Sequence, residues 1–177
     1  MKKAGIIALI ILAFFIIYFL QADFFSWFNI FGIMPKLFVI LILFVGLFAG
    51  KKIGLILGLI FGILIDLLIG KSIGISGILL GAIGLIAEYC DKNFSKDSKL
   101  KIILMVIIST FIYEVGIYAF TIIKGGIEIE LWSFSKIMLI EMLYNSLLII
   151  ILYPLIHKLG YAMENVFKSK TIMTRYF

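Results

Sequence analysis

The sequence predicts an all-α integral membrane protein folded as a compact bundle of six transmembrane helices. Three observations carry that expectation. Of the 177 positions, 64% are apolar and 15% charged, with a mean hydropathy of +1.24, a balance that a soluble domain of this size does not tolerate. Continuous apolar runs recur along the chain, near the length that crosses a hydrocarbon core about 30 Å thick. The runs do not alternate polar and apolar residues, so the spans are helices rather than barrel strands.

The chain reads as one polytopic membrane domain over residues 1–177, with spans at Ala4–Leu20, Pro35–Gly50, Ile53–Gly70, Ile73–Cys90, Leu100–Ile123 and Lys136–His157. The first run follows Met1-Lys2-Lys3 as a signal peptide would. It is long, however, and no Ala-x-Ala site stands near Gln21-Ala22, so a retained helix is expected. Gln21–Met34 carries Phe24, Phe25, Trp27, Phe28 and Phe31, which suits a short amphipathic piece in the outer interface. Pro35 opens the second span, where its missing N–H costs nothing. The turns at Lys51-Lys52 and Lys71-Ser72 are very short, so spans two to four form tight antiparallel hairpins. Asp91–Lys99 is the main inner loop and Lys124–Ser135 the main outer one. The tail from Gly160 mixes apolar and charged residues, as a segment resting on the inner surface would.

Charge sets the orientation. Lys2, Lys3, Lys51, Lys52, Lys92, Lys96, Lys99, Lys101, Lys158, Lys168, Lys170 and Arg175 fall on one side of a six-span arrangement, and only Lys36, Lys71, Lys124 and Lys136 on the other. The positive-inside rule then places both termini in the cytoplasm, and Trp27 and Trp132 join the outer aromatic belt. The net charge of +6 is explained by this topology and by anionic lipid, so no nucleic-acid partner is expected. One cysteine, Cys90, gives no internal disulfide, and one histidine, His157, leaves zinc without a ligand set. No cofactor, metal or catalytic constellation is expected, and the chain does not read as an enzyme.

Gly46, Gly50, Gly54, Gly58 and Gly62 recur every four residues, Asp66 takes the next slot, and Gly70 and Gly74 continue the series. On a helix that spacing makes one narrow stripe without side chains, against which another helix backbone packs closely in lipid. The stripe is expected to be the packing core of the bundle, and its smooth surface also suits a partner helix.

Four acids fall in or at the edges of spans. Glu88 reads as an interfacial ion pair with Lys92 one turn on. Glu141 lies in early turns of its helix, where the dipole favours an anion, and serves either that role or a functional one. Asp66 sits near the C-terminal end of its helix, where the dipole disfavours it. It either reaches water beside Lys71 or, as its alignment with the glycines favours, is buried and hydrogen-bonded. Glu114 is the deepest, with Asn145 at similar depth. With no Lys or Arg inside the spans, Glu114 is expected to be protonated or held by Asn145, Thr110 or Tyr144. By depth alone Asp66, Glu114, Glu141 and Asn145 converge on the outer half of the bilayer, as one polar pocket or one helix-docking notch.

Pro35, the run Gly58–Gly74 (GLIFGILIDLLIGKSIG), the YEVGIYAF around Glu114 and the MLYNSLLIIILYP from Met142 to Pro154 together resemble the MreD family of bacterial rod-shape membrane proteins. Asp66 and Asn145, with Gly58, Gly62 and Pro154, match that family's recurrent positions, whereas Glu141 and the Lys51-Lys52 turn match none. The resemblance implies a non-enzymatic scaffold subunit of the elongasome in the bacterial inner (plasma) membrane. Its implied partners are an MreC-like single-pass protein, MreB filaments, a RodA-type glycosyltransferase with its transpeptidase, and membrane lipids, in support of lateral peptidoglycan synthesis. The family is also similar in architecture to the substrate-binding subunits of energy-coupling-factor transporters. A vitamin-transporter subunit is therefore the alternative expectation, with Trp27 and Trp132 available to stack a ligand.

Overall fold

The computed structural model describes residues 3–69, 74–93, 98–124 and 130–168. Its helices are α1 (Lys3–Trp27), α2 (Leu37–Ala49), α3 (Lys51–Ile69), α4 (Ile75–Asn93), α5 (Lys99–Ile123) and α6 (Leu131–Phe167). Helices α1, α3, α5 and α6 are long and apolar enough to cross a membrane, and α2 and α4 carry shorter apolar stretches.

The bundle closes around α2. This helix has no polar side chain, and all of it but Leu41 is buried. An apolar surface running right round a helix finds partners on every side, and α2 meets α1, α3, α4, α5 and α6. Its buried Phe48 ring fills the groove left by Gly160 of α6, where a β-carbon would stand 2.6 Å from the ring. Beyond Gly160, Met163 is buried and Lys168 Nζ donates to the Leu47 carbonyl at 2.6 Å, satisfying an acceptor left over at the C-terminal end of α2. The tail from Gly160, expected to rest on the inner surface, is helical to Phe167 and packs against α2.

The two ends of the interfacial segment also differ from expectation. Helix α1 does not stop at Leu20. It passes through a π-helical turn, Leu20–Phe24, and runs on to Trp27. Ile30 and Ile33 then pair across a two-residue turn in which Phe31 and Gly32 both have positive φ, +52° and +80°. That is the geometry of a type I′ hairpin, and for Phe31 the left-handed backbone costs about 1–2 kcal/mol. The turn is braced by Asn29, whose Nδ2 donates to Ser26 O at 2.6 Å and whose Oδ1 accepts from Gly32 N at 2.9 Å. Tyr144 of α6 donates its hydroxyl to Phe28 O, tying the segment to the bundle.

The closest pair is α3 against α4, and glycines on both helices make it possible. A β-carbon on Gly54 would stand 2.8 Å from Gly84 O, one on Gly58 2.6 Å from Leu80 O, and one on Gly62 2.4 Å from the Gly77 backbone. Gly46 packs on Gly84 from α2. Gly50 is different: its added β-carbon would meet only Glu88 Oε2 at 3.6 Å. It makes the turn into α3 with φ +98°, a conformation that glycine adopts without a Cβ clash. The four-residue series is therefore not one stripe. It breaks at Gly50, and Gly54, Gly58 and Gly62 form the seam on α3.

Candidate functional site

The α3/α4 pair is locked at both ends by acids that cap each other's helices. Asp66, near the end of α3, accepts through Oδ2 from Gly74 N at 2.8 Å and Ser76 N at 3.0 Å, the free donors at the start of α4. Gly74 enters that helix at φ +97°. Glu88, near the end of α4, accepts through Oε2 from Lys51 N at 2.6 Å at the start of α3. Each acid stands where its own helix dipole disfavours it and serves the N-terminus of the neighbour, where the dipole favours it. Glu88 thus has a role that its spacing to Lys92 did not indicate; the Lys92 side chain, like Lys71 and Gly70, lies outside the described residues.

A second cluster joins α2, α5 and α6. Glu114 and Thr110 lie one turn apart on α5, and Glu141 and Asn145 one turn apart on α6, so each pair shares a face. Asn145 and Thr110 are fully buried. The Lys36 N–H, just before α2, donates to Asn145 Oδ1 at 2.9 Å. A backbone amide only donates, so the Asn145 amide must turn its Nδ2 the other way, where it donates to Thr110 Oγ1 at 2.9 Å. One side chain thereby satisfies a free donor ahead of α2 and bridges to α5.

The Lys36 side chain closes the arrangement. Its Nζ stands 3.3 Å from Glu114 Oε1 and 3.5 Å from Glu141 Oε1, with both carboxylates buried and about a third of the lysine side chain (32%) exposed. This corrects the expectation that Glu114 lacks a cation. The lysine is anchored at the rim beside Pro35, and its four-carbon stem carries the ammonium to the acids. Tyr144, considered as a donor to Glu114, points instead to Phe28 O.

The two groups meet. Tyr113 of α5 donates to Ser76 Oγ at 3.1 Å, and Asp66, Ser76, Tyr113, Thr121 and Lys36 line one cavity of about 190 Å³ with Ile and Phe side chains. The structure thus brings Asp66, Glu114, Glu141 and Asn145 to one end of the bundle. Lys36, Ser76, Thr110 and Tyr113 complete the site and were not singled out as its centre from the sequence. Thr110 is expected from the sequence only as a donor to Glu114, and Lys36 leaves a trace as a charge immediately after the proline that opens a span. At the other end His157 lies between the tilted rings of Tyr153 and Tyr161, centroids 5.4 and 4.5 Å away, apart from these acids.

Chemically the site is a set of interhelical ties: an ion pair shared by two carboxylates, an amide bridge and a carboxylate cap. A family model described as rod shape-determining protein MreD matches residues 2–162. No curated protein and no solved structure matches.

Proposed function

The chain belongs to the MreD family of rod shape-determining proteins, and from that premise we propose that it is a non-enzymatic scaffold subunit of the wall-elongation machinery. In this reading it sits in the bacterial inner membrane as a multi-pass protein with both termini cytoplasmic. It holds an MreC-like single-pass partner and supports lateral peptidoglycan synthesis by MreB-guided, RodA-type enzymes.

The observation that carries the reading is how the membrane-depth polar groups are used. Asp66, Glu114, Glu141 and Asn145 each engage a neighbouring helix, which serves rigidity. What faces outward is apolar, including Ile56, Ile60 and Leu67 on α3 and Leu139, Leu143 and Leu147 on α6. Such faces bind other apolar helices through packing. The α3 glycines were expected to receive a partner helix as well. Because α4 already fills them, a partner meets the outer faces.

Depletion in a rod-shaped host tests the proposal. Cells are expected to widen and round while new wall material no longer enters the cylinder, as followed by fluorescent D-amino-acid labelling. Cells that keep their diameter and labelling pattern after depletion contradict it.

A further inference from the structure

Beyond scaffolding, we infer that the Lys36 end of the bundle holds the head group of an aminophospholipid, with phosphatidylethanolamine as the fitting ligand. The inference starts from two acceptors without donors. Glu141 Oε2 and Gln21 Oε1 are both buried and accept no hydrogen bond. Both residues line one open cavity of about 280 Å³, with Lys36, Ile137 and the backbone turn Gly32–Met34. Glu114 is the other carboxylate near Glu141, with its own Oε1 also buried and without a hydrogen bond, and the cation facing them both is Lys36. A buried acceptor left without a donor costs about 1–3 kcal/mol, so this pair calls for a ligand that brings N–H groups.

Charge gives the sign of that ligand. Two carboxylates face one ammonium, so the cluster has room for one further positive charge, supplied by a proton shared between the acids or by a bound cation that replaces it. A primary ammonium supplies both the charge and three donors. Lys36 adds the complementary half. Its ammonium has three N–H groups, two directed at the acids, and its partly exposed side chain lines the same cavity, leaving a donor for an anion. Acceptors beside a cation, with Glu141 Oε1 3.5 Å from Lys36 Nζ, fit a zwitterion of ammonium and phosphate.

Backbone and surroundings point to a membrane source for that zwitterion. Gln21 lies in the π-helical turn that interrupts α1, and π-turns often mark functional sites. The segment that follows exposes Trp27, Phe28 and Phe31, the residue types that settle at head-group depth. Ile33, Met34 and Ile137 supply the apolar part of the cavity wall, against which an acyl-glycerol moiety can pack.

The test uses the full chain in nanodiscs of equal phosphatidylethanolamine and phosphatidylcholine, read by native mass spectrometry. The two lipids share a phosphate, but choline has no N–H. Wild type is expected to retain phosphatidylethanolamine about tenfold over phosphatidylcholine, the scale of one charge-assisted hydrogen bond. Glu141→Gln and Gln21→Leu are each expected to bring that ratio near parity while keeping wild-type helicity in phosphatidylcholine. Where Glu141→Gln fails to fold, Gln21→Leu decides, because it removes only the amide. Equal retention by wild type, or an undiminished preference in Gln21→Leu, overturns the inference. Free phosphoethanolamine that binds in phosphatidylcholine discs and displaces the lipid overturns its membrane source.

Discussion

Gly62→Ala is expected to destabilise the protein by about 3 kcal/mol, the upper part of the range for adding a methyl group to a packed interior. The new carbon would stand 2.4 Å from Gly77 N and Cα and 2.5 Å from Ser76 C, all backbone atoms. No rotamer change relieves such a contact, so α3 and α4 must move apart. The loss then spreads, because Ser76 N is a donor to Asp66 and would be drawn off its acceptor. Gly81→Ala provides the contrast. Its neighbours at 3.1–3.3 Å are the Leu55 and Leu59 side-chain ends, which yield, so the cost there is expected to be below about 1 kcal/mol. Reversible unfolding of both variants in the same detergent checks the difference. Equal stabilities would show that the seam is not limited by backbone contact.

Lys36→Met is expected to cost about 3 kcal/mol, the lower end of the range for removing one partner of a buried ion pair. A third of the lysine side chain is exposed, which places it at that end. The substitution leaves Glu114 and Glu141 facing each other without a cation. Adding Glu114→Gln and Glu141→Gln to Lys36→Met is therefore expected to recover much of the loss, since no unpaired charge remains. A double-mutant cycle on unfolding free energies measures the coupling. A cost for Lys36→Met below about 1 kcal/mol, or no recovery in the triple variant, would show that Lys36 is a surface charge with little structural role.

The helical bundle was legible because a long continuous apolar run satisfies its backbone within a helix, and each expected span holds a helix over most of its described residues. The seam was legible because glycine at a spacing of four has few other uses in an apolar helix. It was misread at Gly50, since spacing alone does not distinguish a packing glycine from one that turns the chain. Asp66 was legible as a buried acceptor. Its donors, Gly74 N and Ser76 N, were not, because backbone amides leave no mark in a sequence. Glu88 was assigned to its neighbour in sequence, and its bond to Lys51 N across the hairpin needed the fold.

Lys36 was the largest omission, and its reason is physical. Span counting treats a lysine at a helix start as a topological marker on the water side. A flexible stem on a fixed backbone carries the charge about a helical turn from its Cα, here toward acids on two other helices. The tie between Asn145 and the Lys36 N–H joins the same distant segments, and a single sequence holds no record of which segments meet. The Phe31 turn was hidden for a different cause. Its backbone conformation runs against the residue's preference and is held by the Ile30–Ile33 pairing and by the Asn29 bond to Gly32 N.

The central claim is that this rigid, internally tied bundle works by holding a neighbour in the membrane. The most direct measurement is in-cell crosslinking of the tagged chain at native expression, followed by quantification of the captured single-pass protein. The account predicts stoichiometric recovery of an MreC-like partner, with crosslinks confined to outward positions such as Leu143 or Ile60. Absence of any such partner from the captured material, in cells whose shape depends on the chain, would contradict it.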